Sequence, residues 1–190
     1  GVVSFAAAGN GGADETGDTP INYPAQYDST IAVGAVNPDL EITNYSNYGP
    51  QLDLVAPGGT SSHPIWNTWG YYNSGNPEWD YKGMLGTSMA VPHASGTAGL
   101  LIASGVSGVS SIKNRMTSTA VDLGKIGKDD KYGYGLIDAY AALLNKKLPP
   151  PYLFAGSKEG DIIKIKSEMV QADGGSYQLY QVKPGTLKIY

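Results

Sequence analysis

Cysteine is absent from this chain of 190 residues, and that absence excludes several kinds of chemistry at once. Without thiols there are no disulfides, no thiolate metal sites and no cysteine nucleophile. The longest apolar run, at 97–103, is far shorter than the roughly 20 residues that cross a membrane. Lys and Arg number 13 against 17 Asp and Glu, with no block of one sign, so the basic patch of a nucleic-acid-binding protein is also missing.

What is present favours a folded, loop-rich protein. Apolar residues make up 41% of the chain and charged residues 16%, a balance that supports a buried core. The 26 glycines and 12 prolines follow no fixed period. The segments 2–8, 30–36 and 52–56 have the nearly uninterrupted apolar pattern of strands covered on both faces. We therefore expect an α/β fold, a parallel sheet with helices on both faces.

Three further segments predict helices, at 88–104, 112–120 and 136–147. The first has small or apolar side chains all round and no charge, which predicts burial on every side. The third is expected to bury one apolar stripe, formed by Leu136, Ala139, Tyr140, Leu143 and Leu144. The stretch 59–85 is predicted to be a long loop with a functional role, ordered by its six aromatic residues.

The prolines at 149–151 predict a change of domain. We expect one domain at 1–147, a linker at 148–151 and, at 152–190, part of an antiparallel β module whose strands alternate with period two. The chain starts with glycine, and strand-like patterns are interrupted at both ends. We therefore expect it to be a piece of a longer polypeptide.

Three groups of residues carry a family resemblance. They are Ala-Ala-Gly-Asn at 7–10, Tyr-Ser-Asn-Tyr-Gly at 45–49 and Gly-Thr-Ser-Met-Ala-Val-Pro-His at 86–93. In this order they resemble the C-terminal half of the catalytic domain of subtilisin-like serine proteases. The resemblance runs from about residue 1 to about residue 147 and includes the segment 132–139. It implies a three-layer subtilisin-like sheet and a secreted endopeptidase.

Ser88 is the candidate nucleophile. It lies where a loop meets the start of a predicted helix, and the free backbone N–H groups there favour negative charge. A serine that attacks a carbonyl at such a place creates its oxyanion next to its own N–H. Taken alone, this serine would be interpreted as an ordinary helix N-cap, and the whole motif is what favours the nucleophile. Asn10 alone reads as a turn residue, and the resemblance implies that it is the second oxyanion donor.

Neither histidine of the chain is placed to activate Ser88. His93 lies five residues further along the same predicted helix, and His63 lies in the long loop as a solvated residue. In the family the order is Asp, His, Ser, so the resemblance implies that both partners precede residue 1. We therefore expect the chain alone to be inactive and the upstream half of the domain to be its partner. The alternative is a catalytically dead relative that serves binding.

The resemblance also implies substrate contacts. It assigns one wall of the pocket to 7–9 (Ala7, Ala8 and Gly9), the far end to Asn22, and the leaving-group side to Tyr45 and Met89. No acidic residue lies in these segments, so a strong preference for Arg or Lys in the substrate is not expected. The plain alternatives are a core-filling methionine and a half-buried loop tyrosine.

A cation site follows from the resemblance alone. It would use backbone carbonyls of Ala25, Tyr27 and Thr30 with the carboxylate of Asp53, oxygen ligands that suit Ca²⁺ or a monovalent cation. Asp53 between two leucines is equally consistent with an exposed strand residue. No cofactor is expected for the chemistry itself. The sequence leaves the function of the module at 152–190 open, with binding to a surface, a polymer or the catalytic domain as the alternatives.

Overall fold

The computed structural model describes residues 1–12 and 20–147. The linker and the β module predicted at 148–190 lie outside the described residues. The elements run in the order β1 (Phe5–Ala7), β2 (Ile31–Val36), β3 (Leu54–Pro57), β4 (Ile65–Asn73), β5 (Asn76–Met84), α1 (Thr87–Ala103), α2 (Val109–Thr119) and α3 (Ala139–Leu144).

The first three strands form the parallel sheet that the sequence predicts. Its order is β1-β2-β3, with Ala7 opposite Val33 and Val33 opposite Leu54. All six residues of β2 are buried, as expected for a central strand covered on both faces. Because the strands are parallel, their carboxyl ends meet at one edge of the sheet, where open α/β sheets bind ligands.

The main core lies between this sheet and the helices. α1 packs across all three strands, and α2 and α3 pack against α1. The buried apolar residues of this core are Ile31, Val33, Ala35, Leu54, Ala56, Ala90, Ala94, Ala98, Leu101, Ile112, Met116, Ala120 and Ala142. On the opposite face, connecting segments supply the cover: Ser46 and Leu52 lie against Gly34 of β2. The helices of the described residues therefore belong to one face.

Burial of α1 on every side was predicted, and within the described residues this is wrong. The buried residues of α1 include Ala90, Ala94 and Ala98, which repeat every four positions and so share one face of the helix. Leu100 and Ile102 on the other side are 50% and 55% exposed. Small residues on the buried face let the helix approach the sheet closely; Leu101 is buried with them, whereas Leu100 and Ile102 remain outside.

The long loop predicted at 59–85 is also wrong in part, because β4 and β5 form an antiparallel hairpin there. The chain reverses at Ser74 and Gly75, whose φ angles of 50° and 86° are those of a two-residue turn with both central residues left-handed. The strands are mostly exposed, so they carry no alternation of buried and solvated residues. The usual sequence signal of such a hairpin was therefore missing, although the prediction that the segment is ordered is confirmed.

The predicted third helix is shorter than expected. It begins only after Asp138, whose carboxylate accepts a hydrogen bond of 2.8 Å from the Ala141 N–H, and it ends at Asn145 in a left-handed conformation. Leu136 instead forms bridges with Val55 and Val121. The predicted stripe is wrong as well, because the buried residues of α3 are Ala141 and Ala142.

Candidate active site

Asn10 and the start of α1 meet at the carboxyl edge of the sheet. The Oδ1 atom of Asn10 accepts hydrogen bonds from the Thr87 N–H at 2.9 Å and from Thr87 Oγ1 at 2.8 Å. A backbone N–H can only donate, so the carbonyl side of the Asn10 amide must face Thr87. The Nδ2 group therefore points away, and no acceptor among the described residues binds it.

Ser88 is the second residue of α1, and it is exposed between the buried Thr87 and the half-buried Met89. The N-cap is Gly86, so the alternative that Ser88 is an ordinary N-cap is wrong. Asn10 takes the capping role for Thr87, and the Met89 N–H donates to the Gly86 carbonyl at 2.9 Å. In the described part of the chain, the Ser88 N–H has no partner. Two free donors, this N–H and the Asn10 amide, thus lie at the start of the helix.

Asn47 orients the loop that carries Asn10, a role that the sequence analysis missed. Its Oδ1 accepts from the Gly11 N–H at 2.7 Å, its Nδ2 donates to the Pro20 carbonyl at 2.9 Å, and its own N–H donates to the Gly9 carbonyl at 2.9 Å. Asn47 is buried, so these bonds are shielded from water. Gly9 is required here because its φ of 113° and the amides of Asn22 and Asn47 leave no room for a side chain.

Neither histidine forms a hydrogen bond with Ser88. His93 Nδ1 pairs with the Met89 carbonyl at 2.9 Å, and the residue is exposed. His63 is exposed in its loop as predicted, with Nδ1 at 3.1 Å from Ser62 Oγ. Among the described residues the Ser88 hydroxyl has no hydrogen-bond partner, so nothing there is positioned as its base.

The residues expected in the substrate pocket lie close to this edge. The Asn22 N–H donates to the Ala8 carbonyl at 2.8 Å, and the Asn22 amide abuts Gly9, so the predicted wall and far end are neighbours. Tyr45 Oη donates to the Gly59 carbonyl at 2.8 Å. Burial raises the pKa of Tyr45 above its usual value, against the smaller effects of hydrogen bonds, so the phenol stays a neutral donor. Met89 is half-buried.

The residues of the expected cation site line one cavity of about 320 Å³ together with Lys113. Asp53 is buried, so the alternative that it is an exposed strand residue is wrong. The Lys113 ammonium lies 2.8 and 2.9 Å from the two oxygens of Asp53, and the Thr30 hydroxyl donates to the Tyr27 carbonyl at 2.8 Å. The Asp53 carboxylate and the Tyr27 carbonyl therefore already accept hydrogen bonds. A metal ion fits at Asp53 only after the Lys113 ammonium has moved away. The described residues contain no group of three acidic or histidine side chains placed for a metal.

An exposed serine at a helix start, beside a free amide donor and at the carboxyl edge of a parallel sheet, is an arrangement typical of serine hydrolases. The profile of the subtilase family matches residues 1–135, and the chain belongs to this family. The recognition made from the motifs is thereby confirmed, as is the parallel sheet with helices.

Individual relatives agree with the family. Subtilisin DY of Bacillus licheniformis is 39% identical over 143 residues, which cover 75% of this chain and 47% of that protein. Halolysin of Haloferax mediterranei is 39% identical over 138 residues, 73% of this chain and 23% of that protein. An extracellular halolysin-like serine protease of Natrialba magadii is 38% identical over 146 residues, 75% of this chain and 23% of that protein.

Among solved structures, a lanthipeptide protease matches with a TM-score of 0.63 and 28% identity over 75% of this chain and 50% of that one. The chain thus spans no more than about half of the length of these relatives. No helix among the described residues is long and apolar enough to cross a membrane.

Proposed function

We propose that this chain supplies the nucleophile and oxyanion donors of a secreted serine endopeptidase. Ser88 attacks the carbonyl carbon of a substrate peptide bond, the Asn10 amide and the Ser88 N–H bind the resulting oxyanion, and water then hydrolyses the acyl-enzyme. Secretion is proposed because the relatives include an extracellular protease. The substrate is a peptide or protein.

The observation that carries this proposal is the orientation of the Asn10 amide. Two donors of Thr87 hold its oxygen, so its Nδ2 group and the Ser88 N–H are left as free donors at the start of α1. Preorganised donors of this kind are usually the largest single contribution to stabilising the transition state of acyl transfer. A turn asparagine with only a structural role has no need of a free amide next to an exposed serine.

We further propose that the general base and its orienting carboxylate come from a segment that precedes residue 1. The three strands leave β1 as an edge of the parallel sheet among the described residues. Beside it, Val2, Phe5, Ala98 and Ile102 help to line a cavity of about 690 Å³. A bare edge and apolar lining on one side of the sheet support the docking of further strands and helices there.

The substrate pocket is proposed to accept uncharged, medium to large side chains. Its wall at 7–9 is small and apolar, and Asn22 at its far end brings an amide and no charge. We expect a panel of peptides that differ only in the residue before the cut to show less than a hundredfold advantage for Arg or Lys. A larger advantage would show that an acidic group reaches the pocket from elsewhere.

The test of the nucleophile uses this chain joined to the upstream half of its catalytic domain and a fluorophosphonate that labels activated serines. We expect Ser88→Ala to abolish both labelling and peptide hydrolysis. Ser118→Ala, an exposed serine on α2 that does not line the cavity beside β1, is the control and is expected to leave both unchanged. A joined protein that binds peptide but is never labelled would favour the catalytically dead relative instead.

A further inference from the structure

The β4–β5 hairpin has two chemically different faces. Residues opposite each other in an antiparallel pair share a face, and successive residues alternate. All charged side chains of the hairpin lie on one side, the charged face, where Lys82 lies 4.2 Å from the centre of the Trp69 ring and Tyr71 Oη donates to Glu78 at 2.7 Å. That hydrogen bond lowers the pKa of Glu78.

The other side carries no charge and most of the aromatic surface. This aromatic face consists of Trp66, Tyr72, Trp79 and Tyr81, which are 67%, 79%, 81% and 70% exposed, with Thr68, Pro77 and two glycines between them. Trp79 lies opposite Gly70 and so close to it that a Cβ there would meet the indole ring. One side of the Trp79 ring packs on Gly70 and the other side is exposed to solvent. The aromatic face therefore presents flat apolar ring surfaces to a partner. Exposed apolar patches of this kind mark interaction sites.

The root of the hairpin is part of the candidate active site. The Gly86 N–H donates to the Gly58 carbonyl at 2.9 Å, and Tyr45 binds the Gly59 carbonyl at 2.8 Å. Gly86 is the N-cap of the helix that carries Ser88. From Met84 at the root, Trp79 lies five strand residues outward, about 17 Å. A polypeptide bound at Ser88 therefore reaches the aromatic face with about five extended residues.

We propose that the aromatic face is a secondary binding site for the polypeptide substrate. It takes an uncharged stretch with aromatic or proline side chains on the leaving-group side of the scissile bond. This inference rests on the proposed endopeptidase function, since the occupant is the substrate of Ser88. Continuity of the hairpin with the serine loop favours the substrate as occupant, and the lack of charge on the face favours an uncharged partner. Rings that stack on rings or on proline supply the affinity.

The chain's own tryptophans report the binding, because all three lie in the hairpin. The probe is an uncharged twelve-residue peptide of proline, phenylalanine and serine, added to the Ser88→Ala form of the full chain with Trp69→Phe, which leaves only Trp66 and Trp79. We expect a saturable blue shift of the emission. The same peptide with glutamate in place of phenylalanine is expected to bind at least about tenfold more weakly.

Adjacent tyrosines of β4 give a matched pair of variants. Tyr72→Thr removes a ring from the aromatic face and Tyr71→Thr removes one from the charged face, while threonine keeps the strand propensity. We expect Tyr72→Thr, and independently Tyr81→Thr, to weaken binding about tenfold, and Tyr71→Thr to leave it unchanged. Equal losses in both tyrosine variants, or no saturable shift, would overturn the proposal. So would tighter binding of a β-1,4-glucose hexasaccharide, because the face would then be a carbohydrate site.

Hydrolysis separates this inference from the proposed function. In the joined enzyme, Tyr72→Thr with Tyr81→Thr is expected to lower kcat/KM about tenfold for substrates with eight residues beyond the cut. Substrates with two residues there are expected to be unaffected. Equal effects on both lengths would contradict the secondary site while leaving Ser88 as nucleophile. Hydrolysis that survives Ser88→Ala would contradict the proposed function, whereas the fluorescence result would stand.

Discussion

Thr87 decides which end of the Asn10 amide faces the serine. Its N–H and its hydroxyl both donate to Asn10 Oδ1, and its side chain is buried. An asparagine in a loop otherwise turns freely between two nearly equivalent orientations, only one of which offers an N–H to an oxyanion. Positioning of the donor is thus a property of Thr87 as much as of Asn10.

Replacing the hydroxyl tests this arrangement. Thr87→Val keeps the backbone bond to Asn10 and removes the bond from Oγ1, which leaves the amide less firmly oriented. We expect kcat of the joined enzyme to fall about fivefold with little change in KM, since one hydrogen bond contributes about 1 kcal/mol. Thr87→Ser keeps the hydroxyl and is expected to retain most of the activity. A similar kcat loss in both variants would show that packing, not the hydroxyl, matters.

At the scale of single residues, the sequence indicated which residues are candidates for the chemistry. It did not indicate which side chains orient them. Ser88 and Asn10 could be proposed from the sequence because they stand in a specific motif at the expected separation. Thr87 and Asn47 lie in motifs that were recognised, yet their roles depend on bonds across 77 and 36 residues of chain. No local pattern announces a partner at that distance, so only the folded structure shows which side chains orient the loop.

Among the elements, α2 is tied to the sheet through Lys113 and Asp53. The ammonium lies within 2.9 Å of both carboxylate oxygens, and Asp53 also accepts from the Ala32 N–H of β2. Asp53 is nearly buried, whereas Lys113 is about one-third exposed. We propose that Lys113 supplies the positive charge at the place where the family resemblance implies a cation.

Lys113→Met is expected to leave the Asp53 carboxylate buried without a counter-ion. Because Lys113 is partly solvated, we expect a loss of about 1–3 kcal/mol in the free energy of unfolding, read as a drop in Tm. Ca²⁺ or K⁺ is expected to restore part of the Tm of this variant and to change the wild type little. Lys128→Met is the control, since Lys128 lines the same cavity but donates to the Pro50 carbonyl. An equal rise of Tm with Ca²⁺ in the wild type would contradict the proposal.

The hairpin turn offers a second prediction at this scale. Ser74 has a φ of 50° and Gly75 a φ of 86°, a conformation that asparagine followed by glycine adopts most readily. We expect Ser74→Asn to stabilise the hairpin by about 0.5 kcal/mol, seen as slower amide exchange in β4 and β5. Gly75→Val is expected to loosen it. Gly127 has a φ of 86° outside the hairpin, so Gly127→Val should leave that exchange unchanged.

How well the elements could be predicted depended on what surrounds them. The buried strands and α1 were located to within a few residues because burial imposes a long apolar pattern. The hairpin was missed since solvent on both faces imposes no pattern, and 136–147 was overestimated because its leucines looked like a helical stripe. Leu136 in fact bridges two segments that are distant in sequence.

At the scale of the whole molecule, we expect the cavity beside β1 and α1 to be where the upstream half of the domain docks. Ile102 helps to line it and is 55% exposed, so a charge there costs the isolated chain little. We expect the 190-residue chain alone to show no labelling of Ser88 by a fluorophosphonate, and mixing with the separately expressed upstream half to restore it.

Ile102→Asp is expected to block that recovery, because an aspartate would be buried without a partner at the contact. Ile126→Asp is the matched control: Ile126 is 77% exposed and is absent from the lining of this cavity. Labelling of Ser88 in the Ile126→Asp variant should recover as it does in the wild type. Rapid labelling of the isolated wild-type chain would show that a base lies within it, and His63 would then be the first residue to replace.

The hydrogen bond from the Gly86 N–H to the Gly58 carbonyl holds together the two ends of the segment 59–85, which contains the hairpin. Everything between these two glycines can therefore lengthen, shrink or change in sequence while the ends stay together, since a longer closed loop costs little additional entropy. In the proposed enzyme, the substrate-binding hairpin can thus change while the position of Ser88 is kept. We therefore expect these two glycines to be a suitable place to graft a foreign binding segment, or to replace the native hairpin by a short loop, with the proposed chemistry at Ser88 retained.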